Sequence, residues 1–188
     1  EKKEPEIKLE LKKIKKKLNL KKIQLTLSTN NPKIIYQDVK IPITKIKVYS
    51  KINKMLDSKI EISQITFKIK KFKVQDLQKI ATRIKPSNFK TYLLNNLEGG
   101  EVEKVLFDLN IDKKFKITNY KANGSIKKIN ATIGKKFTIK DISFNFKVDE
   151  NLTLINSINT SYNGFLVSNG SIELQKKNNI KIKGRFNS

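Results

Sequence analysis

The sequence predicts a mainly β protein with a few short helices, built on a long, twisted, bulged antiparallel sheet curled into a groove. Two observations predict this class. In several stretches apolar residues alternate with Lys, Thr, Ser and Gln, which is the period of a strand with one apolar and one polar face. Hydrophobic residues make up 37% of the 188-residue chain, less than the roughly 45–50% of typical globular domains. A sheet buried on one face accommodates that shortage better than a core buried on all sides.

The first alternating region is the stretch 39–74, VKIPITKIKVYSKINKMLDSKIEISQITFKIKKFKV, and the alternation continues through its second half. Its phase slips by one residue at Ser63-Gln64 and again at Lys70-Lys71. A β-bulge inserts one residue into a strand, so two bulges would restore the facing and predict one strand over 60–74. Three short strands joined by turns are the alternative, but no Gly, Pro or Asn-Gly occurs there to form the turns. The side chains that one strand would place on one face are Ile60, Ile62, Ile65, Phe67, Ile69, Phe72 and Val74.

Residues 1–18 fit two structures. Ile7, Leu11 and Ile14 fall at helical spacing, but Ile7, Leu9 and Leu11 also alternate as in a strand. We expect a short helix here, because the charge-rich remainder is typical of a solvated helix face.

The first strands are predicted over 19–74. Leu20 and Ile23 are expected to belong to the first of them. A turn should follow at 28–32, Ser-Thr-Asn-Asn-Pro, since Asn caps turns through its side chain and Pro fixes φ. Pro42 should interrupt the next strand, because Pro lacks an amide donor.

A helical break is predicted over 75–99. Asp76 is a favourable N-cap for a first helix. Lys85-Pro86 would stop that helix, and Gly99-Gly100 would end a second one. The hairpin of two helices is expected to plug or cap the open end of the sheet.

Strands return over 100–188 and are marked by glycines. The alternation is clear over 105–111 and clearest over 142–148. Asn123-Gly124 and Asn169-Gly170 occupy similar contexts. A mid-strand Gly marks a kink or bulge that lets a long sheet curl, whereas Asn-Gly also forms hairpin turns. The residues leave both structures open.

The chain is strongly basic. Its formal net charge is +24, from 41 Lys and Arg against 17 Asp and Glu, an excess typical of proteins that bind nucleic acid or an anionic membrane surface. Arg, the preferred residue for bidentate phosphate and base contacts, occurs only at Arg83 and Arg185. We therefore expect no specific nucleic acid as a partner, and only weak, salt-dependent association.

Residues that carry catalysis are poorly represented. Cys and His are absent, which excludes disulfides, Cys or His metal ligands, a Cys nucleophile and an imidazole base. Asp108 and Asp112 flank a predicted strand and could form a carboxylate pair, although charged residues at strand ends are usually just solvated. Gly99-Gly100 follows a predicted helix, whereas a phosphate-binding loop precedes one. The sequence thus predicts a non-enzymatic chain without a metal or cofactor.

Several segments together carry a resemblance to a known family. They are the predicted one-turn helix INKMLDSK, the alternating IEISQITFKIKKFKV, the helical break IKPSNFKTYLLNNLEGG and the Gly-marked YKANGSIKKINATI. In this order they resemble the N-terminal region of AsmA-like envelope proteins, which belong with the TamB-type, repeating β-groove, bridge-like lipid transporters. The pattern covers roughly residues 18–186.

The resemblance implies a periplasmic β-rich body, neighbouring β-groove repeats in the same protein, and an inner-membrane anchor. It also implies that phospholipid moves along an apolar groove between the inner and outer membranes. The chain has no run of about eighteen apolar residues, so the anchor would lie outside it. We accordingly expect residues 1–188 to be a single β-groove segment of a longer protein.

The residues alone predict the groove less directly. A sheet that is apolar on one face must hide that face, and two short helices cannot cover so many strands. A basic nucleic-acid-binding domain and a structural spacer whose apolar face closes completely are the alternatives. The residues expected to line the groove are Ile60, Ile62, Ile65, Phe67, Ile69, Val105, Phe107, Leu109, Ile111, Ile142, Phe144, Phe146 and Val148.

Overall fold

A computed structural model describes residues 7–36, 39–51, 61–82, 95–133, 137–162, 164–176 and 180–187. Strands dominate this part of the chain. They are β1 (Ile7–Glu10), β2 (Lys15–Asn19), β3 (Gln24–Asn30), β4 (Lys33–Tyr36), β5 (Val39–Ile41), β6 (Ile43–Lys51), β7 (Glu61–Ile69), β8 (Phe72–Lys73), β9 (Leu97–Ile111), β10 (Ile117–Ile133), β11 (Phe137–Asp149), β12 (Leu152–Tyr162), β13 (Phe165–Lys176) and β14 (Ile180–Asn187). Helix α1 spans Val74–Thr82.

Eleven strands form one large antiparallel sheet. Their order is β14-β13-β12-β11-β10-β9-β7-β6-β3-β2, with β8 pairing β9 beside this path. Most neighbours are consecutive in the chain, because a short turn suffices to join antiparallel strands. A second sheet has the order β1-β4-β5. The prediction of a mainly β chain with one large antiparallel sheet and few helices is confirmed, and the described sheet is not closed.

The helix expected over 1–18 is wrong for the residues that the structure describes. Residues 7–10 and 15–19 are strands, and Leu9 pairs with Ile34 of the small sheet. Cross-strand pairing supplies hydrogen-bond partners and apolar contacts that an isolated helix of this length lacks. Leu20 and Ile23 also depart from expectation, since they belong to the turn between β2 and β3.

The single strand expected over 60–74 is wrong in its length. Strand β7 ends at Ile69. The next amide, of Lys70, still donates to the Pro42 carbonyl at 2.7 Å, but Pro42 has no amide to donate in return, so the ladder with β6 stops there. Only Phe72 and Lys73 rejoin β9, and Val74 already begins α1. Ile60 lies outside the described residues. The β6–β7 register does shift where Ser63 is skipped, and the reading of that shift as a bulge stays a prediction.

The helical break is confirmed at α1, although Asp76 lies in the first turn of that helix and not at its N-cap. In the second predicted helix, residues 95 and 96 are helical, and the residues before them lie outside the described part of the chain. Gly99 and Gly100 do not end a helix; they lie inside β9 with φ of 64° and 78°. A Cβ on Gly100 would lie 2.9 Å from Ile129 Cα. Glycine is required there because the backbones approach closely and φ is positive.

Asn123-Gly124 and Asn169-Gly170 lie within strands and not in hairpin turns. Gly124 lies inside β10 and Gly170 inside β13. An aromatic ring occupies the space above each: a Cβ on Gly124 would lie 2.9 Å from Phe146 Cζ, and one on Gly170 would lie 2.7 Å from Phe186 Cδ1. The turn at Asn31-Pro32 and the interruption at Pro42 are confirmed.

One irregularity recurs in every strand from β9 to β13. Each contains one non-glycine residue with positive φ at a shift in pairing register. In three of the five strands, the amide of the positive-φ residue donates to a side-chain oxygen of a neighbouring strand. For example, the Asp141 amide donates to Asn130 Oδ1 at 3.1 Å. The five residues are Lys104, Lys128, Asp141, Ser157 and Asn169.

Candidate functional site

A row of directly paired residues crosses the large sheet on its apolar face. Residues that pair directly in an antiparallel sheet have their side chains on the same face, so the register alone identifies the row. It contains two of the predicted phenylalanines side by side, Phe67 and Phe107. From β6 to β14 the row is Ile46, Phe67, Phe107, Ala122, Val148, Thr153, Leu174 and Ile182.

A parallel row lies two residues further along the strands. Ile69 pairs with Val105, and a Cβ on Gly124 would contact Val105 Cγ2 and the Phe146 ring. The row continues from Phe146 through Ile155, Ile172 and Gly184. The apolar face thus extends from β6 to β14, and Thr153 is the one polar residue in the two rows.

The predicted lining residues that the structure describes share this face. Ile65 pairs with Leu109, and Ile142, Phe144, Phe146 and Val148 pair with residues of β10. Ile111 follows the alternation of β9, and the register shift at Ser63 pairs Ile62 with Ser50, two residues from Val48. Eight of the predicted residues belong to two apolar clusters, one around Val105 and one around Ile46, and Ile69 packs against both.

The described residues that cover the face lie near the first strands and in the middle. Ile34 of the small sheet packs against Ile43 and Ile46. Val74 of α1 is only 1% exposed and packs against the cluster of Val102, Val105 and Ile129. The connection between β1 and β2 is held over the sheet, because the Thr29 hydroxyl donates to the Lys12 carbonyl at 2.9 Å.

A cavity of about 300 Å³ lies between this connection and the sheet. Leu9, Leu11 and Ile14 form one wall. The sheet forms the other, with Phe67 among the residues that the sequence predicted. The alternation of Leu9 and Leu11 in the sequence was a signal for those two residues. Sequence reasoning missed the remaining residues of the sheet wall. They are Leu27, Ser28, Thr29, Ile34, Ile46 and Val48.

No residue in the described part of the chain covers the face over the last strands. Ile182 and Phe186 of β14 are largely exposed on it, and Phe137 and Phe165 are exposed at the end of the sheet where β11 and β13 begin. Ile158 of β12 is buried there, and Phe186 lies close beside it over Gly170. In this region the apolar side chains contact mainly one another.

The polar face and the turns hold the carboxylates. Asp108 accepts a hydrogen bond from the Thr66 hydroxyl at 2.6 Å, and Asp112 accepts the amides of Lys114 and Lys116. The two carboxylates therefore have separate structural partners. In the ranges described above, no group of three or more Asp or Glu is placed to hold a metal ion.

A polar cleft of about 800 Å³ lies beside the N-terminus of α1. Its Lys71 ammonium lies 2.6 Å from Glu101 and 3.5 Å from Glu103. The hydrogen bond to Glu101 raises the pKa of Lys71 above its ordinary value. These contacts tie the break after β7 to β9, so a structural role accounts for the pair.

No family model, curated protein or solved structure matches this chain. Among the described helical residues, none forms a helix long and apolar enough to cross a membrane. The site must therefore be interpreted from its own geometry and chemistry.

Proposed function

We propose that the apolar face is a groove for phospholipid acyl chains, and that the chain is a non-enzymatic segment of a lipid-transporting envelope protein. The observation that carries this proposal is that the apolar face extends over more strands than the small sheet and α1 pack against. Apolar rows run from β6 to β14, while the small sheet and α1 pack only on the strands from β6 to β10. An apolar face that the described residues leave open is a candidate binding surface.

Curvature of the sheet would turn this face into a groove. The positive-φ residues at the register shifts of β9 to β13 have the features of β-bulges, which bend a strand and increase its twist. One such residue in each of five neighbouring strands would fold the sheet along a line. Gly124 and Gly170 would assist, since each lets a phenylalanine ring lie flat over the backbone.

The chemistry of the face suits hydrocarbon. Each methylene moved from water onto it gains about 0.8 kcal/mol, so a few contacts along an acyl chain suffice for binding. The cavity of about 300 Å³ beside Phe67 is lined almost entirely by carbon. It would accept the end of a chain laid along the rows. Lysines around the sheet would lie near the lipid phosphate.

The wider assignment follows the resemblance of the sequence to AsmA-like proteins. In this proposal the segment lies in the periplasm and moves phospholipid between the inner and outer membranes. The inner-membrane anchor and the neighbouring β-groove repeats would belong to other parts of the same protein.

The proposal is tested with two substitutions on adjacent residues of β14. Ile182→Asp places a charge on the apolar face at a largely exposed position, so the fold should survive while the desolvation of the carboxylate opposes bound acyl chains. Lys183→Gln changes the net charge by the same amount on the opposite face. Phospholipid that copurifies with the 188-residue chain is counted by mass spectrometry.

We expect lipid on the wild type and on Lys183→Gln, and a severalfold loss on Ile182→Asp. A wild-type chain that carries no lipid and takes up none from vesicles would refute the groove. Equal lipid on Ile182→Asp and the wild type would refute it too. In either case a structural spacer becomes the better account.

A further inference from the structure

Two turns at the same end of the large sheet share an unusual construction. The β2–β3 turn (20–23) and the β9–β10 turn (112–116) each end their hydrogen-bonded loop on a bulky apolar residue with positive φ, Ile23 at 46° and Phe115 at 59°. Such residues are disfavoured in this region of φ, where Gly or Asn is usual. Both side chains are also largely exposed. Folding therefore holds these two side chains in water at a cost in backbone strain.

The two turns are held rigid in the same way. Ile23 N–H donates to the Leu20 carbonyl at 3.2 Å, and Phe115 N–H donates to the Asp112 carbonyl at 3.1 Å. A side-chain oxygen at the start of each turn accepts further amides. Asn19 Oδ1 accepts the amide of Lys22, and Asp112 Oδ1 accepts the amides of Lys114 and Lys116. The apolar side chains are thus presented by ordered turns.

The pairing register brings the two turns to the same level. Thr26 pairs with Tyr49, Tyr49 with Gln64, and Gln64 with Asn110. Each turn begins a few residues beyond this line, and four strand spacings of about 4.8 Å put them on the order of 20 Å apart. The acidic β11–β12 turn does not extend as far as these two turns. Lys121 pairs with both Asp149 and Asp108, so Asp149 lies at the level of Asp108, several residues before the β9–β10 turn begins.

Lysine surrounds the exposed apolar residues at both turns. Residues 11–23 contain seven Lys and no Asp or Glu, and 113–117 contain three Lys and none either. None of these ten lysines forms an ion pair with a described carboxylate. Leu20, at 77% exposed, and Ile117 add further apolar surface.

We propose that this end of the sheet is a membrane-binding rim, formed by turns 20–23 and 112–116, that docks on an anionic lipid bilayer. Exposed Leu20, Ile23, Phe115 and Ile117 insert at the boundary between headgroups and acyl chains, and the lysines neutralise lipid phosphates. Bulky apolar tips favour a bilayer over nucleic acid, which would be bound through charge and flat aromatic stacking. The rim would operate whether or not the groove carries lipid.

The absence of Trp from the chain allows a direct test of insertion. Phe115→Trp places a single indole in the rim, and Phe165→Trp places one at an exposed position at the opposite end of the sheet. With vesicles of phosphatidylcholine and phosphatidylglycerol, we expect a blue shift of emission for Trp at 115 and none at 165. Equal shifts at both positions, or no shift at 115, would overturn the rim.

Vesicle cosedimentation then separates local charge from total charge. Replacing Lys113, Lys114 and Lys116 by Gln should weaken binding about a hundredfold, at roughly 1 kcal/mol per lysine. The matched control replaces Lys45, Lys68 and Lys147, which lie away from the rim on one row of the polar face, and should change binding little. Equal losses would mean that net charge alone attracts the protein, which contradicts the proposal.

A third variant tests the apolar contribution. Phe115→Asn removes the ring but suits the positive φ, so the protein stays folded while binding falls about tenfold. Full retention of binding would overturn insertion. Binding to phosphatidylcholine alone as strong as to the anionic mixture would contradict the role of the lysines. Tighter binding to RNA than to vesicles would identify nucleic acid as the partner instead.

Discussion

Ile46 and Ile182 lie on the same row of the same sheet, yet they differ in what covers them. Ile46 is 8% exposed and Ile182 is 68% exposed, although the register connects them through six intervening strands. Alternation therefore decides which face a side chain is on. A second layer decides whether that face is buried.

The covered region is a two-layer structure. The small sheet places Ile34 on Ile43 and Ile46, and α1 places Val74 on Val102 and Val105. Each layer hides the apolar side chains of the other, which is the usual source of stability in a β protein.

The uncovered region is a single layer. Its last strand, β14, alternates Ile182, Gly184 and Phe186 with Lys181, Lys183 and Arg185. Basic residues on an edge strand disfavour further edge-to-edge pairing. The charge thus protects the edge, while the apolar face of β14 stays available.

The largest expected effect comes from truncating the two isoleucines of that row. Ile46→Ala should lower the free energy of unfolding by about 2–4 kcal/mol, because it leaves a cavity in a packed cluster. Ile182→Ala should change it by less than about 0.5 kcal/mol, because the side chain is already in water. Chemical denaturation measures both. Similar losses would mean that something covers Ile182 in solution.

Adding a methyl group to two glycines should sharpen the same contrast. A Cβ on Gly124 would lie 2.9 Å from both Val105 Cγ2 and Phe146 Cζ, and Val105 is buried, so Gly124→Ala should destabilise the fold by about 1 kcal/mol or more. A Cβ on Gly184 would lie 3.2 Å from Phe186 Cε2, on an exposed ring that can move, and 3.9 Å from the Ser171 carbonyl oxygen, an ordinary contact. Gly184→Ala should be neutral, or stabilising by about 0.5 kcal/mol through the unfolded chain. Thermal unfolding measures both variants. The expectation is wrong if Gly124→Ala does not melt at a lower temperature than Gly184→Ala.

The β2–β3 and β9–β10 turns test backbone strain, which does not depend on whether a second layer buries the sheet. Ile23→Asn and Phe115→Asn should each raise the free energy of unfolding by about 1 kcal/mol, because Asn adopts positive φ more readily than a β-branched or aromatic residue. Thermal unfolding measures the change. A loss of stability would show that the apolar side chains make contacts that outweigh the strain.

The smallest effect is expected from pH. Hydrogen bonding to the Asn151 and Leu152 amides lowers the pKa of Asp149 in the uncovered region, and hydrogen bonding to Lys33 lowers that of Glu10 in the small sheet. Because both pKa values are lowered on folding, each group stabilises the fold above its ordinary pKa. The stabilisation is lost as the pH falls through the pKa of each group in the folded protein, below about pH 4.

Salt should distinguish the two groups. The Glu10–Lys33 ion pair at 2.7 Å is exposed, so Glu10→Gln should flatten a pH dependence that high salt also weakens. Asp149 is held by hydrogen bonds to neutral amides, so the effect of Asp149→Asn should depend less on salt. Unfolding followed against pH at two salt concentrations tests this. Identical salt responses would contradict the difference.

The sequence by itself determined the strand class, the face of most strand residues, and several turns. Alternation over 105–111 and 142–148 was sufficient to place Phe107, Phe144 and Phe146 on one face, because a strand has a period of two wherever it lies. Asn31-Pro32 and Pro42 were also predictable, since their backbone restrictions are local.

Only the tertiary structure decided the features that depend on a neighbour. Residues 7–10 and 15–19 became strands because β4 and β3 were available to pair. The ladder after Ile69 stopped because its partner, Pro42, has no amide to donate. Gly100 lies inside a strand where the Ile129 backbone approaches closely. The half-covered apolar face has the same origin. Alternation fixes the direction of a side chain locally, but burial depends on a second layer that is distant in the sequence.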